Sequence, residues 1–314
     1  MEHHTNDHGG NLDAAIATYG GTRADWIDLS TGINPVPYPI GDLSAQSWTA
    51  LPDSGAFDRI ERAARQFWNI PDAAHVVMGT GASALIARIP ALVPHGAVSI
   101  AHPSYNEHQS AFAAHGWHIV PEDSPADAMV RVHPNNPTGT QYTMDPKGRS
   151  LVVIDESFAD ICPDDSHIDL ARHKNVIVLK SFGKFWGLAG LRLGFAIGAP
   201  DHIKQLQDWL GPWAVSGPAL EIGARALGDL TWAQQTRARL TRDAARLDHL
   251  MAPHSPSVQG TSLFRLYDVK DAAAFQARLA KHHIWSRIFP YSQTLIRLGL
   301  PHPDQFDRLS AALA

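Results

Sequence analysis

The stretch LKSFGKFWGLAGLRLGFAIG, residues 179–198, closes one apolar run and opens another with a single lysine between them. Lys184 is boxed in by Ser181, Gly183 and Gly187 and is followed by Arg192, so the segment reads as strand, glycine-rich loop, strand. A cation in apolar surroundings needs an anion or a chemical task to offset its desolvation. Working outward, short β-rich runs recur: HVVMG ending at Gly79, AVSIA at Ala101, WHIV at Val120, AMVRVH at His133, LVVID at Asp155 and VIVLK at Lys180. Several are apolar at consecutive positions, as strands covered on both faces are. Helix-like segments over 82–92 and 106–115 separate some of them. This alternation predicts an α/β fold with a mostly parallel central sheet flanked by helices.

Beyond Gly211 and Pro212 the pattern changes. Residues 221–250 read as one long helix, with Trp232, Ala238, Leu240, Ala244, Leu247 and Leu250 among its apolar positions. A strand around SLFRLYDV, a helix over 271–282, a strand TLIRLGL and a helix from Pro303 follow, a smaller α+β C-terminal domain. The first forty residues, rich in Gly, Pro and Asn, read as an arm and loop. The expected division is therefore an N-terminal arm over 1–40, a large domain over 41–212 and a small domain over 213–314.

Composition narrows the function classes. With 314 residues, 44% of them hydrophobic and 18% charged, the chain can bury a substantial core. A net charge of −5 without a local Lys/Arg cluster argues against a nucleic-acid partner. The single cysteine, Cys162, excludes an intrachain disulfide and fits a reducing compartment. The opening MEHHTNDHGGNLDAA is polar where a signal peptide needs an apolar core, and no apolar run is long enough for a bilayer, so a cytoplasmic protein with no membrane partner is expected. Eighteen histidines, including His3, His4, His8, His282 and His283, invite a metal reading, but none stands at a ligand spacing and no metal is expected.

Four features fall at the C-terminal ends of the expected strands, where open parallel sheets bind ligands. GTGASAL, residues 79–85, turns from strand to helix, and its Gly81, Ala82 and Ser83 could offer N–H groups and a hydroxyl to a phosphate; a plain turn would look the same. HPNNPTG, residues 133–139, fixes a turn that presents Asn136. Asp155 closes an apolar strand, where it asks for a cation or serves as a helix cap. Lys184 is the fourth.

In this order, a glycine turn, Asn-Pro-Thr-Gly, a strand-end Asp and Ser-x-x-Lys followed by Arg, the chain resembles the class I and II aminotransferase family over about residues 28–297. That resemblance implies a fold-type-I enzyme dependent on pyridoxal 5′-phosphate and a set of roles. Lys184 would join the cofactor aldehyde through its amine, Asp155 would pair with the pyridine nitrogen, and Asn136 would bond the ring's 3′-oxygen. Gly81, Ala82, Ser83, Ser181 and Arg192 would hold the cofactor phosphate. Tyr105, after HPS, stands where the family stacks an aromatic ring, although a lone aromatic serves equally well in a core. Arg297, interrupting the apolar LIRLGL, would grip the substrate carboxylate unless it is an edge-strand surface residue. Asn34 would reach the substrate, and a homodimer is implied.

HGGNLDAA, WIDLSTGINPVPYP and the opening stretch resemble the branch that decarboxylates L-threonine O-3-phosphate to (R)-1-aminopropan-2-yl phosphate in cobalamin biosynthesis. His8 would then help to bind the substrate phosphate. Transamination of the histidinol-phosphate type is the alternative, because the two reactions differ only in which bond at Cα stands perpendicular to the cofactor ring. A catalytically silent cofactor-binding regulator is a remoter one; Lys184 and Asp155 are both retained. A nicotinamide-dependent dehydrogenase fits less well, since GTGAS is not G-x-G-x-x-G. Two positions depart from the family: Phe158 stands where many relatives carry a tyrosine near the cofactor oxygen, and Leu51, in LPD, stands where many carry a tyrosine that reaches the neighbouring subunit's cofactor phosphate.

Overall fold

The computed structural model describes residues 9–314, so His8 lies outside the described residues. The chain forms two compact units: a large one comprising Pro37–Asn136 and Thr140–Gln234, and a small one comprising residues up to Val36, Pro137–Gly139 and Gln235–Ala314.

The N-terminal segment is more ordered than its Gly/Asn content suggests. Helix α1 (Leu12–Tyr19) starts at Asn11, whose side chain accepts from Ala14 N, and the two-residue strand β1 (Ile27–Asp28) follows. Leu12, Ala15 and Trp26 pack against Ala280, so this segment is built into the small unit rather than forming a separate arm. The composition signal was real, but apolar side chains spaced along α1 override it.

In the large unit, α2 (Ala45–Thr49) and the amphipathic α3 (Ser54–Trp68) precede the sheet strands β2 (His75–Thr80), β3 (Ala97–Ile100), β4 (His118–Val120), β5 (Ala128–Val132), β6 (Leu151–Asp155), β7 (Val176–Ser181) and β8 (Leu193–Gly198). Their order across the sheet is β2-β8-β7-β6-β5-β3-β4. All adjacent pairs are parallel except those of β8, which runs antiparallel to both β2 and β7. β5, β6 and β8 are buried at every position, as expected of strands covered on both faces. Helices α4 (Gly81–Ile86), α5 (Asn106–Ala114), α6 (Pro200–Leu210) and α7 (Gly217–Gly228) belong to the same unit. The helix expected over 82–92 ends early: α4 stops at Ile86, and Pro90 lies in a separate 3-10 turn, Ile89–Ala91.

The long helix expected over 221–250 is two helices, α7 and α8 (Leu230–Met251). The break falls at Asp229, whose carboxylate accepts from Trp232 N and starts α8 with a new cap. The two compact units therefore divide at Gln234/Gln235, inside α8, and not at residue 212. The small unit continues with β9 (Val258–Thr261), β10 (Phe264–Asp268), α9 (Ala272–Ala280), β11 (Ile284–Trp285), β12 (Arg287–Ile288), β13 (Leu295–Gly299) and α10 (Phe306–Leu313). β12, β13, β10 and β9 form an antiparallel sheet in that order, and β11 pairs in parallel with β1. Among the described residues no helix is long and apolar enough to cross a membrane.

Candidate functional site

The reversed strand β8 fixes where the site lies in the large unit. Because β8 opposes β2 and β7, its beginning meets their ends: Thr80 is paired with Leu193, and Ser181 with Gly194. One sheet edge therefore collects the end of β2, the end of β7 and the loop that carries Arg192. β5 and β6 end at the same edge, with Val132 beside Asp155.

A cavity of about 150 Å³ opens there. Ala82 and Ser83 line it from the start of α4, Tyr105 and Asn136 from the segments after β3 and β5, and Asp155, Ser181, Lys184 and Arg192 complete the wall. Gly81 adjoins this set, because a Cβ at that position would lie 2.5 Å from Arg192 Nη2. Its φ of +76° is in the left-handed region, which glycine adopts without strain. Gly194 permits the matching approach of β8: a Cβ there would lie 2.3 Å from Ala82 N. Sequence order thus becomes spatial convergence for every large-unit residue expected at the site.

Asp155 is the best-determined group. Its Oδ2 lies 2.8 Å from His108 Nε2, and Oδ1 accepts from Ser157 N at 3.0 Å and Ser157 Oγ at 2.5 Å. Burial alone would raise its pKa, but the His108 hydrogen bond and charge, with the two Ser157 donors, outweigh burial and hold the carboxyl below its ordinary value. An ionised carboxylate has about four acceptor sites, so these three bonds leave capacity for a further donor in the cavity. Tyr105 is pushed up to about 12, chiefly by burial and then by the charges of Glu107 and Asp155, so it stands as a neutral phenol; its side chain also hydrogen-bonds Ser83.

Of the two adjacent asparagines, only Asn136 lines the cavity. Asn135 is structural: it donates to Pro103 O at 2.9 Å and accepts from Ser104 Oγ at 2.9 Å, tying the turn to the loop that carries Tyr105. Lys184 Nζ lies 5.4 Å from the centroid of the Phe158 ring, a cation–π arrangement at the position where a tyrosine is usual. The Lys184 loop is held by Trp186, which is stacked on Phe182 at 5.1 Å and on Trp232 at 5.3 Å. Trp186 Nε1 also donates to the buried Asp160 at 2.9 Å, whose other oxygen accepts from Trp68 Nε1 at 2.8 Å.

Asn34 and Arg297 belong to the small unit. Asn34 is buried, and its Oδ1 accepts from Arg239 Nη2 at 2.6 Å and Val36 N at 3.0 Å. Arg297 is no surface residue: it is 6% exposed and donates from Nη2 to Ser30 O at 2.6 Å. Burial first, and then the charge of Arg287, lower its pKa to about 10. Leu51 is 67% exposed and does not line the cavity that Asp155 and Lys184 share.

Sequence reasoning missed His108, Ser157, Trp186 and Asp160. His108 carried a weak signal, since it stands three positions after Tyr105 at the start of a helix and so shares its face. Ser157 is the common two-residue return of an Asp to its own backbone.

Ser83, Ser181, Arg192 and the backbone at Gly81 offer donors that suit a phosphate, Asp155 is an acceptor that suits a protonated ring nitrogen, and Lys184 is an amine that suits a carbonyl. The residues present fit pyridoxal 5′-phosphate. Residues 118–313 match the sequence profile of the family described as aminotransferase class I and II. A threonine-phosphate decarboxylase of Sinorhizobium sp is 36% identical over 98% of this chain and 97% of that protein. One of Pseudomonas aeruginosa is 38% identical over 98% and 97%. The crystal structure of histidinol-phosphate aminotransferase from Sinorhizobium meliloti in complex with pyridoxal-5′-phosphate superposes with a TM-score of 0.83 at 20% identity, covering 96% of this chain and 93% of that one. The profile match and the chain-long identities together establish that the chain belongs to the class I and II aminotransferase family.

Proposed function

We propose that this chain is a pyridoxal-phosphate lyase that decarboxylates L-threonine O-3-phosphate to (R)-1-aminopropan-2-yl phosphate, in the cytoplasm and in the service of cobalamin biosynthesis. The observation that carries this reading is the identity of 36–38% with two threonine-phosphate decarboxylases over 98% of the chain.

When bound, the cofactor supplies an electron sink that stabilises negative charge developing at the substrate Cα. The chain's own residues do the rest. Ser83, Ser181, Arg192 and the N–H groups of Gly81 and Ala82 anchor the phosphate. Asp155 keeps a proton on the ring nitrogen, because its low pKa makes it an anion that favours the cation beside it. Tyr105 covers the ring, and Asn136 donates to its 3′-oxygen. Arg297 and Asn34 hold the substrate α-carboxylate. In decarboxylation the bond from Cα to the carboxylate breaks, carbon dioxide leaves, and the electron pair stays at Cα, where the Lys184 ammonium delivers the replacing proton.

The family resemblance supports a homodimer, and so do the exposed apolar side chains of the large unit: Trp48 is 69% exposed, Leu51 67% and Trp213 54%. The purified protein with pyridoxal phosphate should release carbon dioxide from L-threonine O-3-phosphate and form no glutamate from histidinol phosphate with 2-oxoglutarate. Glutamate formed without carbon dioxide release would replace this reading by the aminotransferase one.

A further inference from the structure

We infer that His133 is a positioning residue for Asn136: as a neutral imidazole, together with His167, it clamps the returning arm of the loop that carries Asn136 into the cofactor cavity. The inference rests on reading Asn136 as the donor to the ring's 3′-oxygen, and it concerns what sets that donor in place.

The clamp is built against the strand that carries Asp155. His133 directly follows β5 and is 2% exposed. Its backbone N–H donates to Asp155 O at 2.8 Å, which fixes it to the end of β6. The chain then turns through Asn135 and Asn136, and the loop closes where Asn135 N donates to Thr140 O at 2.8 Å. Two residues later, both backbone groups of Tyr142 are taken by imidazoles. Tyr142 N donates to His133 Nδ1 at 3.0 Å, and Tyr142 O accepts from His167 Nε2 at 2.8 Å. The two rings lie 4.4 Å apart between centroids. His167 is anchored in turn, because its own N–H donates to the buried Glu156, the residue after Asp155. The loop that presents Asn136 is therefore registered, at both of its ends, against the strand that presents Asp155.

The partners fix the state of the His133 ring. A backbone N–H can only donate, so Nδ1 carries a lone pair. The 2.9 Å contact of Nε2 is to the carbonyl of Asp165, which can only accept, so Nε2 carries the proton. Burial lowers the pKa of His133 and outweighs the Asp165 hydrogen bond, which favours the charged ring, so the neutral form is present at neutrality. An apolar side chain in place of this imidazole deprives Tyr142 N–H of its acceptor in a part-buried site, and the arm must shift to recover one. Gln141 Nε2 still donates to Asp165 Oδ2 at 2.7 Å, so the arm shifts without detaching. Asn136 sits between the two anchored ends, and the movement reaches the cavity through it.

The test is a double-mutant cycle read as pyridoxal phosphate affinity, by absorbance titration of the full-chain apoprotein. His133→Leu should weaken binding about 10-fold in the wild-type background and less than about 2-fold in Asn136→Ala, because the imidazole acts through that amide. His133→Asn, whose amide oxygen can accept in place of Nδ1, should recover most of the loss. Nitrogen NMR of the protein labelled at histidine, with His133→Asn assigning the signal, should show the Nε2–H tautomer. Equal losses in the two backgrounds, no loss in either, or a His133 ring that is charged at neutrality overturns the positioning role. Should His133→Leu fail to fold, His167→Phe, which keeps a ring and loses the donor to Tyr142 O, decides by the same cycle. Failure of the wild type to release carbon dioxide from L-threonine O-3-phosphate refutes the proposed reaction alone, because the cycle reads only cofactor binding.

Discussion

His108 Nε2 stands 2.8 Å from Asp155 Oδ2, with the two side chains 1% and 3% exposed. The contact joins helix α5 to the end of strand β6 and sets the electrostatic state of the carboxylate that would face the cofactor ring. Three positions earlier, Tyr105 meets His108 edge-on, with ring centroids 6.1 Å apart. One turn of helix therefore supplies both the ring that lines the cavity and the imidazole that stands behind its acid.

His108→Leu should weaken the acid rather than remove it. The Asp155 pKa should rise toward its burial-dominated value, since the largest opposing influence is His108. The turnover number should fall about 10- to 100-fold with the Michaelis constant changed much less, and the pH dependence of the bound cofactor's absorbance should shift. His108→Gln, which restores a donor, should recover part of both. A Leu variant with an unaltered spectral pH profile would show that His108 only fills space.

Lys184→Ala should fold normally, with a wild-type circular dichroism spectrum, because the side chain lines a cavity instead of filling the core. It should lose the cofactor's visible absorbance band and reduce carbon dioxide release by about 10³-fold or more. Retention of the band would assign the amine to another residue.

The adjacent acid, Glu156, serves the fold. It accepts from Lys180 Nζ at 2.5 Å, Ser166 Oγ at 2.6 Å and His167 N at 2.5 Å. Burial opposes its ionisation, but Lys180 and the other donors hold its pKa below the ordinary value, as His108 and Ser157 do for Asp155. Both carboxyls are therefore more acidic folded than unfolded. Their contribution to stability is full above the unfolded pKa values, near about 4, and is lost as pH falls through the folded ones. Urea midpoints should hold steady from neutrality to about pH 5 and drop below about pH 4. Glu156→Gln, which leaves Lys180 buried without its anion, should cost about 3–5 kcal/mol at pH 7 and flatten that acid limb. An acid limb as steep as the wild type's would locate the responsible carboxylates elsewhere.

Much of the fold and of the site is legible in the sequence. β6 and β8 span residues 151–155 and 193–198, as their apolar runs indicate, and the convergence of Asn136, Asp155, Lys184 and Arg192 follows from strands ending at one edge. What stayed hidden has physical causes. The tautomer of His133 is set by partners at Tyr142 and Asp165, which the sequence does not place beside it. Trp186 reads as core, and its hydrogen bond to Asp160 spans 26 residues, a separation no local periodicity encodes. The helix break at Asp229 was visible as Gly-Asp, but the apolar spacing on either side masked it.

Trp186→Phe isolates that long-range bond. The phenyl ring can keep much of the stack between Phe182 and Trp232 but cannot donate to Asp160, leaving a buried carboxylate with one indole donor where it had two. The expected loss is about 1–3 kcal/mol by denaturant unfolding, together with faster release of the cofactor on dilution. A variant with wild-type stability would mean that water or a rearranged Trp68 replaces the bond.

Gly81→Ala probes the phosphate cradle through the backbone. Any Cβ at that position lies 2.5 Å from Arg192 Nη2 and 2.9 Å from its Cζ, so the guanidinium must move, and the φ of +76° adds conformational strain of about 1–2 kcal/mol. Arg192 itself has room to give: it is exposed, and its Nη1 donates to Ala189 O of its own loop at 3.1 Å. The substitution should therefore spare the fold more than the site. Titration of the apoprotein with pyridoxal phosphate, followed by absorbance, should show affinity reduced about 10-fold or more, while titration with pyridoxal, which lacks the phosphate, should change by less than about 2-fold. Equal losses for the two compounds would mean that the turn after β2 shapes the ring pocket, and the phosphate would then have to be sought at another edge of the sheet.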